Sequence, residues 1–129
     1  MAGSVPCVVA VVDDDARILE SLESLLQSAG HSVRLFVSGD DLLRRGGFSG
    51  IDCLISDIAM PAMDGLELRR LAHAARPELP VILITGREEL ANQGVASGKA
   101  DKRVFQKPFD GKELLAAIAG ALPAARRKR

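Results

Sequence analysis

Three short apolar runs constrain the fold of this chain more than any other feature: Cys7–Val12 (CVVAVV), Ile51–Ser56 (IDCLIS) and Val81–Thr85 (VILIT). Each is rich in Val, Ile and Leu, and none alternates with polar residues as a half-solvated strand does. Strands read like this when helices cover both faces of a parallel sheet. Two weaker strands are predicted at Ser32–Phe36 and Arg103–Gln106. Helical spacing fills the intervals. Ile18, Leu19, Leu22, Leu25, Leu26 and Ala29 form one amphipathic stripe, ended by Gly30. Ser38 with Asp41 opens a short second helix, in the manner of a weak capping box. Leu66, Leu68, Leu71, Ala72 and Ala75 mark a third, stopped by Pro77. Asp110 caps the last, whose apolar face is Leu114, Leu115, Ile118 and Leu122 before Pro123. The segment Glu88–Ser97 is the poorest helix, polar and interrupted by Gly94. A β-α unit repeated five times predicts an α/β fold: a doubly wound five-stranded parallel sheet with five helices and right-handed crossovers.

The chain has 129 residues, 47% hydrophobic and 26% charged, which suits one domain with a real core. We place that domain at residues 1–122 and read 123–129 as a basic tail or the start of a linker. Lys plus Arg and Asp plus Glu are both 17, so the formal net charge is zero. Four of the basic residues are Arg126, Arg127, Lys128 and Arg129, leaving a mildly acidic body. Neither this balance nor the four Phe with no Trp or Tyr suits direct nucleic-acid binding. No uncharged apolar run approaches the ~18 residues of a membrane span, and Met1–Pro6 does not read as a secretory signal. Cys7 and Cys53 lie in apolar runs offset by about three residues on neighbouring strands, beyond the ~7 Å reach of a disulfide. Reduced thiols in a cytoplasmic protein are the expectation.

In doubly wound sheets ligands bind outside the carboxyl ends of the strands. Those ends carry Asp13, Asp14 and Asp15 after the first strand, Asp57 after the third, Thr85 on the fourth and Lys107 after the fifth. Asp15 is best read as a helix N-cap. Taken singly, a strand-ending Thr is a turn former and a lone Lys is solvated; the convergence is what points to chemistry. Like charges ~4 Å apart repel by roughly 4 kcal/mol at an effective dielectric near 20, so such carboxylates must bind a cation or hold a proton. An all-oxygen set without His or Cys indicates a hard ion such as Mg²⁺, with a phosphoryl group completing its shell. Lys107 can neutralise a phosphate oxygen, and Thr85 can donate to one.

The runs VVDDD (Val11–Asp15), DIAMPAMDG (Asp57–Gly65), ITG (Ile84–Gly86) and QKPF (Gln106–Phe109) resemble a response-regulator receiver domain of two-component signalling, the CheY-like superfamily, over about residues 6–122. The resemblance implies a flavodoxin-like sheet of order 2-1-3-4-5. It also implies that Asp57 is the phosphoacceptor for a phosphohistidine, with Mg²⁺ held by Asp14, by Asp13 partly through water, by Asp57 and by the backbone carbonyl of Ala59. Thr85 and Lys107 would contact the phosphoryl oxygens. Implied partners are a sensor histidine kinase or phosphotransfer protein and a downstream effector or fused output domain, DNA-binding ones included. A second copy of the chain on phosphorylation is a further one. Neither nucleic acid nor membrane is expected to bind this domain directly.

The pattern departs from the family in two places. Receiver domains usually carry Tyr or Phe three residues before the lysine, where this chain has Val104, with Phe105 one residue later. Adjacent strand residues face opposite ways, so Phe105 cannot take over that position without a register change. We therefore expect phosphorylation to act through a different rearrangement around Glu88–Val104. Ser97–Arg103 (SGKADKR) also differs from the usual Gly-Ala and acidic pair. Elsewhere, Met60 and Met63 read as packing residues, His31 and His73 lie outside the cluster, and Gly65 suits either a tight approach or a plain turn. Two other readings compete with this one. A haloacid-dehalogenase-type phosphatase needs a further acidic pair, for which only Asp110 and Glu113 follow Lys107. A receiver fold acting as a phosphorylation-independent binding module would have no use for the full acceptor set. The domain is accordingly read as a signalling domain rather than a turnover enzyme.

Overall fold

The computed structural model describes residues 7–86, 104–107 and 109–122. Strand β1, Val8–Val12, is β-branched at every position but Ala10, and pairs in parallel on both sides. It is followed by α1 (Ala16–Ser28), β2 (Ser32–Phe36), α2 (Gly39–Arg44), β3 (Cys53–Asp57), α3 (Gly65–Ala75), β4 (Val81–Thr85), β5 (Val104–Gln106) and α4 (Gly111–Ala121). All five strands are parallel in the order β2-β1-β3-β4-β5, the doubly wound order expected. Four helices lie among the described residues. The helix expected at 88–97, the first residue of the last expected strand, Arg103, and the tail 123–129 lie outside them.

The helix boundaries follow from short-range chemistry. Asp15 accepts from the Arg17 N–H at 2.9 Å and caps α1. That helix ends in a Schellman arrangement, Gly30 N to Gln27 O and His31 N to Leu26 O, made possible by Gly30 at φ +91°. Ser38 accepts from Asp41 N at 3.0 Å and caps α2 as expected, while the Asp41 carboxylate reaches past the cap residue to accept from Val37 N at 3.2 Å. Asp64 and Asp110 cap α3 and α4.

Side-chain alternation along the buried strands divides the core into two layers. Ala10, Val12, Leu54, Val81 and Leu83 meet Leu42, Leu68 and Ala72 of α2 and α3. Val9, Val11, Cys53, Ile55, Ile82 and Ile84 meet Leu19, Leu22 and Leu26 of α1 and Leu114 and Ile118 of α4. Met60 and Met63 belong to the first layer, as packing residues. Two details differ from expectation. Ala75 is exposed, because α3 turns its last residue off the sheet. Val9 lies opposite Cys53, so the cysteines are offset by two residues and not three; no disulfide joins them.

Candidate functional site

Parallel register is what assembles the site. Val12 pairs Ser56, Asp57 pairs Ile84, and Thr85 pairs Gln106, so the strand ends finish at one edge of the sheet. Asp13 follows β1, with its N–H on the Phe36 carbonyl at 3.1 Å. Its Oδ1 accepts from Asp15 N at 2.9 Å, a local turn that fixes the carboxylate and leaves Oδ2 for the site. Asp57 closes β3 and is buried; Asp14 is exposed. Carboxylate oxygens of Asp13, Asp14 and Asp57 lie within 4.8 Å of one another. Thr85 closes β4, fully buried, and its carbonyl accepts from the Lys107 N–H at 2.7 Å. The Lys107 ammonium crosses to the carboxylates, 3.3 Å from Asp13 Oδ2 and 3.6 Å from Asp57 Oδ1.

Three negative groups facing one ammonium leave the centre short of positive charge. Burial pushes the Asp57 carboxyl above its ordinary value; the charge of Asp13 adds to this and Lys107 opposes it. Burial also raises Asp13, against the Asp15 N–H and Lys107. Groups shifted in this direction favour a proton or a cation. The donor set suits a hard ion: all oxygen, two of the three carboxylates buried. Carboxylate oxygens within 4.8 Å of one another would have to draw together to share one Mg²⁺ at bonds of ~2.1 Å.

Ala59 is exposed in the loop that leaves Asp57. Asp15 turns to its helix, as expected, and is not part of the cluster. His31 lies beside Cys7, with Nδ1 3.3 Å from the Cys7 N–H, and His73 meets the Leu79 carbonyl; neither approaches the carboxylates. Asp110 caps α4 through Lys112 N and Glu113 stands in its first turn, so neither joins the acidic group. Of two further contacts, the sequence left the one at Gly65 open between a tight approach and a plain turn, and missed the one at Ser56. Gly65, the first residue of α3, packs so closely that a Cβ there would stand 2.3 Å from the Asp57 carbonyl oxygen. Ser56 is fully buried and donates its hydroxyl to that same oxygen at 2.9 Å. A lone Ser in an otherwise apolar strand was the available signal.

A doubly wound sheet with convergent carboxylates and a lysine at its carboxyl edge defines a class of α/β domains that bind their ligands at that edge. The comparisons with known proteins narrow this. The family described as "Response regulator receiver domain" matches residues 9–119. The chain belongs to that family. It is 38% identical over 124 residues to the response regulator protein TodT of Pseudomonas putida, covering 95% of this chain and 54% of that one. It is 35% identical over 116 residues to the transcriptional regulatory protein FixJ of Bradyrhizobium diazoefficiens, covering 88% and 56%. The chain thus spans about half the length of these relatives. A receiver domain from Clostridium thermocellum superposes with a TM-score of 0.80 at 29% identity over 95% of this chain and 97% of that one. The BeF3-activated DrrB receiver domain gives 0.75 at 31% identity, covering 90% and 97%.

Proposed function

We propose that this domain is the phosphoacceptor of a two-component relay, taking a phosphoryl group onto Asp57 from a phosphohistidine of a sensor kinase or phosphotransfer protein. One Asp57 carboxylate oxygen forms the new O–P bond as the donor's N–P bond breaks, and the bonding pair stays on the imidazole nitrogen. The product is an acyl phosphate, which water can later cleave. Phosphoryl transfer asks mainly for alignment and charge neutralisation. Lys107 supplies a point charge for one phosphoryl oxygen and Thr85 a hydroxyl for another. Asp13, Asp14, Asp57 and the Ala59 carbonyl would hold Mg²⁺. When bound, that ion supplies the positive charge that lets an anionic phosphate approach anionic carboxylates. The observation that carries the reading is the meeting of three carboxylates and the Lys107 ammonium at one sheet edge.

Output is proposed to run through the segment around 88–104 toward an effector or a fused output domain, since one of the relatives named above, FixJ, is a transcriptional regulatory protein. Val104 packs on the α2/α3 layer and Phe105 on the α1/α4 layer, which supports a route other than the usual Thr–aromatic coupling. Among the described residues no helix is long and apolar enough to cross a membrane; we place the domain in the cytoplasm. The deciding experiment is incubation with Mg²⁺ and acetyl phosphate, read by intact mass. We expect one phosphoryl addition in the parent, none in Asp57→Asn and none in excess EDTA. No addition to the parent would leave the phosphorylation-independent binding module as the better reading.

A further inference from the structure

We propose that Ser56 is a positioning residue for phosphoryl transfer: its buried hydroxyl, together with the close approach of Gly65, locks the peptide that carries the Asp57 acceptor. This rests on the reading of Asp57 given above.

Ser56 is the penultimate residue of β3, with no accessible surface. Its register partners are Val12 on β1 and Leu83 on β4, both members of the apolar layer facing α2 and α3. A hydroxyl in such a layer is costly unless bonded. Ser56 meets that need by donating to the Asp57 carbonyl oxygen at 2.9 Å, and not to a group elsewhere in the layer. The same oxygen is pressed by the first residue of α3, where only a missing side chain permits the approach. The rest of that peptide and the start of the next are held as well: Ile58 N–H, which shares the plane of the Asp57 carbonyl, donates to the Ile84 carbonyl at 2.9 Å, and the Ile58 carbonyl accepts from Gly65 N–H at 2.8 Å.

The peptide between Asp57 and Ile58 is a rigid plane. With its oxygen fixed by Ser56 and Gly65 and its N–H fixed by Ile84, the backbone at Asp57 has little freedom left. That backbone aims the carboxylate whose Oδ1 stands 3.6 Å from Lys107. The same plane leads into the loop that carries Ala59, so one hydroxyl steadies both the acceptor and the carbonyl proposed for the cation. Ser56 touches neither donor nor phosphorus; it acts through Asp57. Losing its hydrogen bond widens the range of carboxylate orientations, which costs rate because in-line transfer depends on alignment.

The test uses the full chain with Ser56→Ala and Ser56→Thr. The readout is initial phosphoryl incorporation at saturating Mg²⁺ as acetyl phosphate is varied, with thermal melts alongside. We expect Ser56→Ala to lower the maximum rate about three- to ten-fold, the range a single hydrogen bond supports, with the half-saturating donor concentration near the parent's. Ser56→Thr keeps the hydroxyl and should return to within about two-fold of the parent. A merely structural serine would move the melting temperature and leave the maximum rate alone. An Ala variant with the parental rate, or a Thr variant as slow as Ala, overturns the proposal. Failure of the parent itself to incorporate phosphoryl would instead overturn the reading of Asp57 as acceptor.

Discussion

Replacing Gly65 by Ala sets local preference against tertiary fit, and the two predict opposite signs. Helix propensity favours Ala over Gly by up to about 1 kcal/mol, so considered as a helix residue alone Gly65→Ala should stabilise. The packing says otherwise. A Cβ at this position falls 2.3 Å from Asp57 O, 2.9 Å from Ile58 Cα and 3.0 Å from Asp57 C. Non-bonded heavy atoms sit comfortably at roughly 3.5 Å, so α3 and the end of β3 must separate by about 1 Å. All three neighbours are backbone in a buried stretch, and no flexible side chain is there to yield. Forced overpacking of this kind costs ~1–3 kcal/mol, and the propensity gain is smaller than usual in a first turn. A net loss of ~1–3 kcal/mol lowers Tm by about 4–15 °C in a domain of this size. Gly120 is the control: it lies in α4, with nothing within 4 Å of a built Cβ. Gly120→Ala should therefore raise stability by about 0.5 kcal/mol. Thermal and urea melts followed by far-ultraviolet circular dichroism measure both. A Gly65→Ala protein at or above the parental Tm would refute the close approach and the packing argument built on it.

Two further outcomes test the electrostatics and the scaffold. Burial holds Asp13 above its ordinary value of 3.8, so its contribution to stability is full below that pH and is lost as pH rises through the folded value. Asp13→Asn should therefore melt higher than the metal-free parent at pH 7, with the gap closing toward pH 4. With Mg²⁺ held as proposed, the parent should gain about 2.7 kcal/mol at a hundred times the ion's Kd and the variant should lose most of that gain; a variant less stable than the metal-free parent would contradict the shift. Arg76 donates through Nη1 to the carbonyls of Phe48 and Ile51 at 2.6 and 2.8 Å, tying the end of α3 to the loop before β3. Arg76→Met removes both hydrogen bonds and should cost roughly 2–3 kcal/mol in urea melts, whereas Glu78→Ala, which breaks only a 3.4 Å surface pair, should change stability by less than about 0.5 kcal/mol.

What could be read from the chain divides by range. Asp15, Ser38 and Asp110 each cap a helix through a bond to a residue two or three positions on, so all the information lies in a short window. The central strands were legible because burial on both faces strips them of polar residues. The meeting of Asp13, Asp57, Thr85 and Lys107 followed from one topological inference, since parallel strands in register must end together. The supports behind those side chains were not legible in the same way. Gly65 and Asp57 are eight positions apart, and their contact depends on how far α3 settles onto the sheet. Arg76 reaches loop carbonyls 25 and 28 residues away. No periodicity encodes such distances. Ser56 is the instructive case: its neighbour in sequence is its partner in space, yet a hydroxyl inside a buried strand has meaning only once Val12 and Leu83 are known to flank it. The residues that would perform the transfer were visible because their charge conflicts with their position at strand ends. Those that would aim them were hidden because they satisfy their surroundings, and the alignment of Asp57 is set by that satisfied layer.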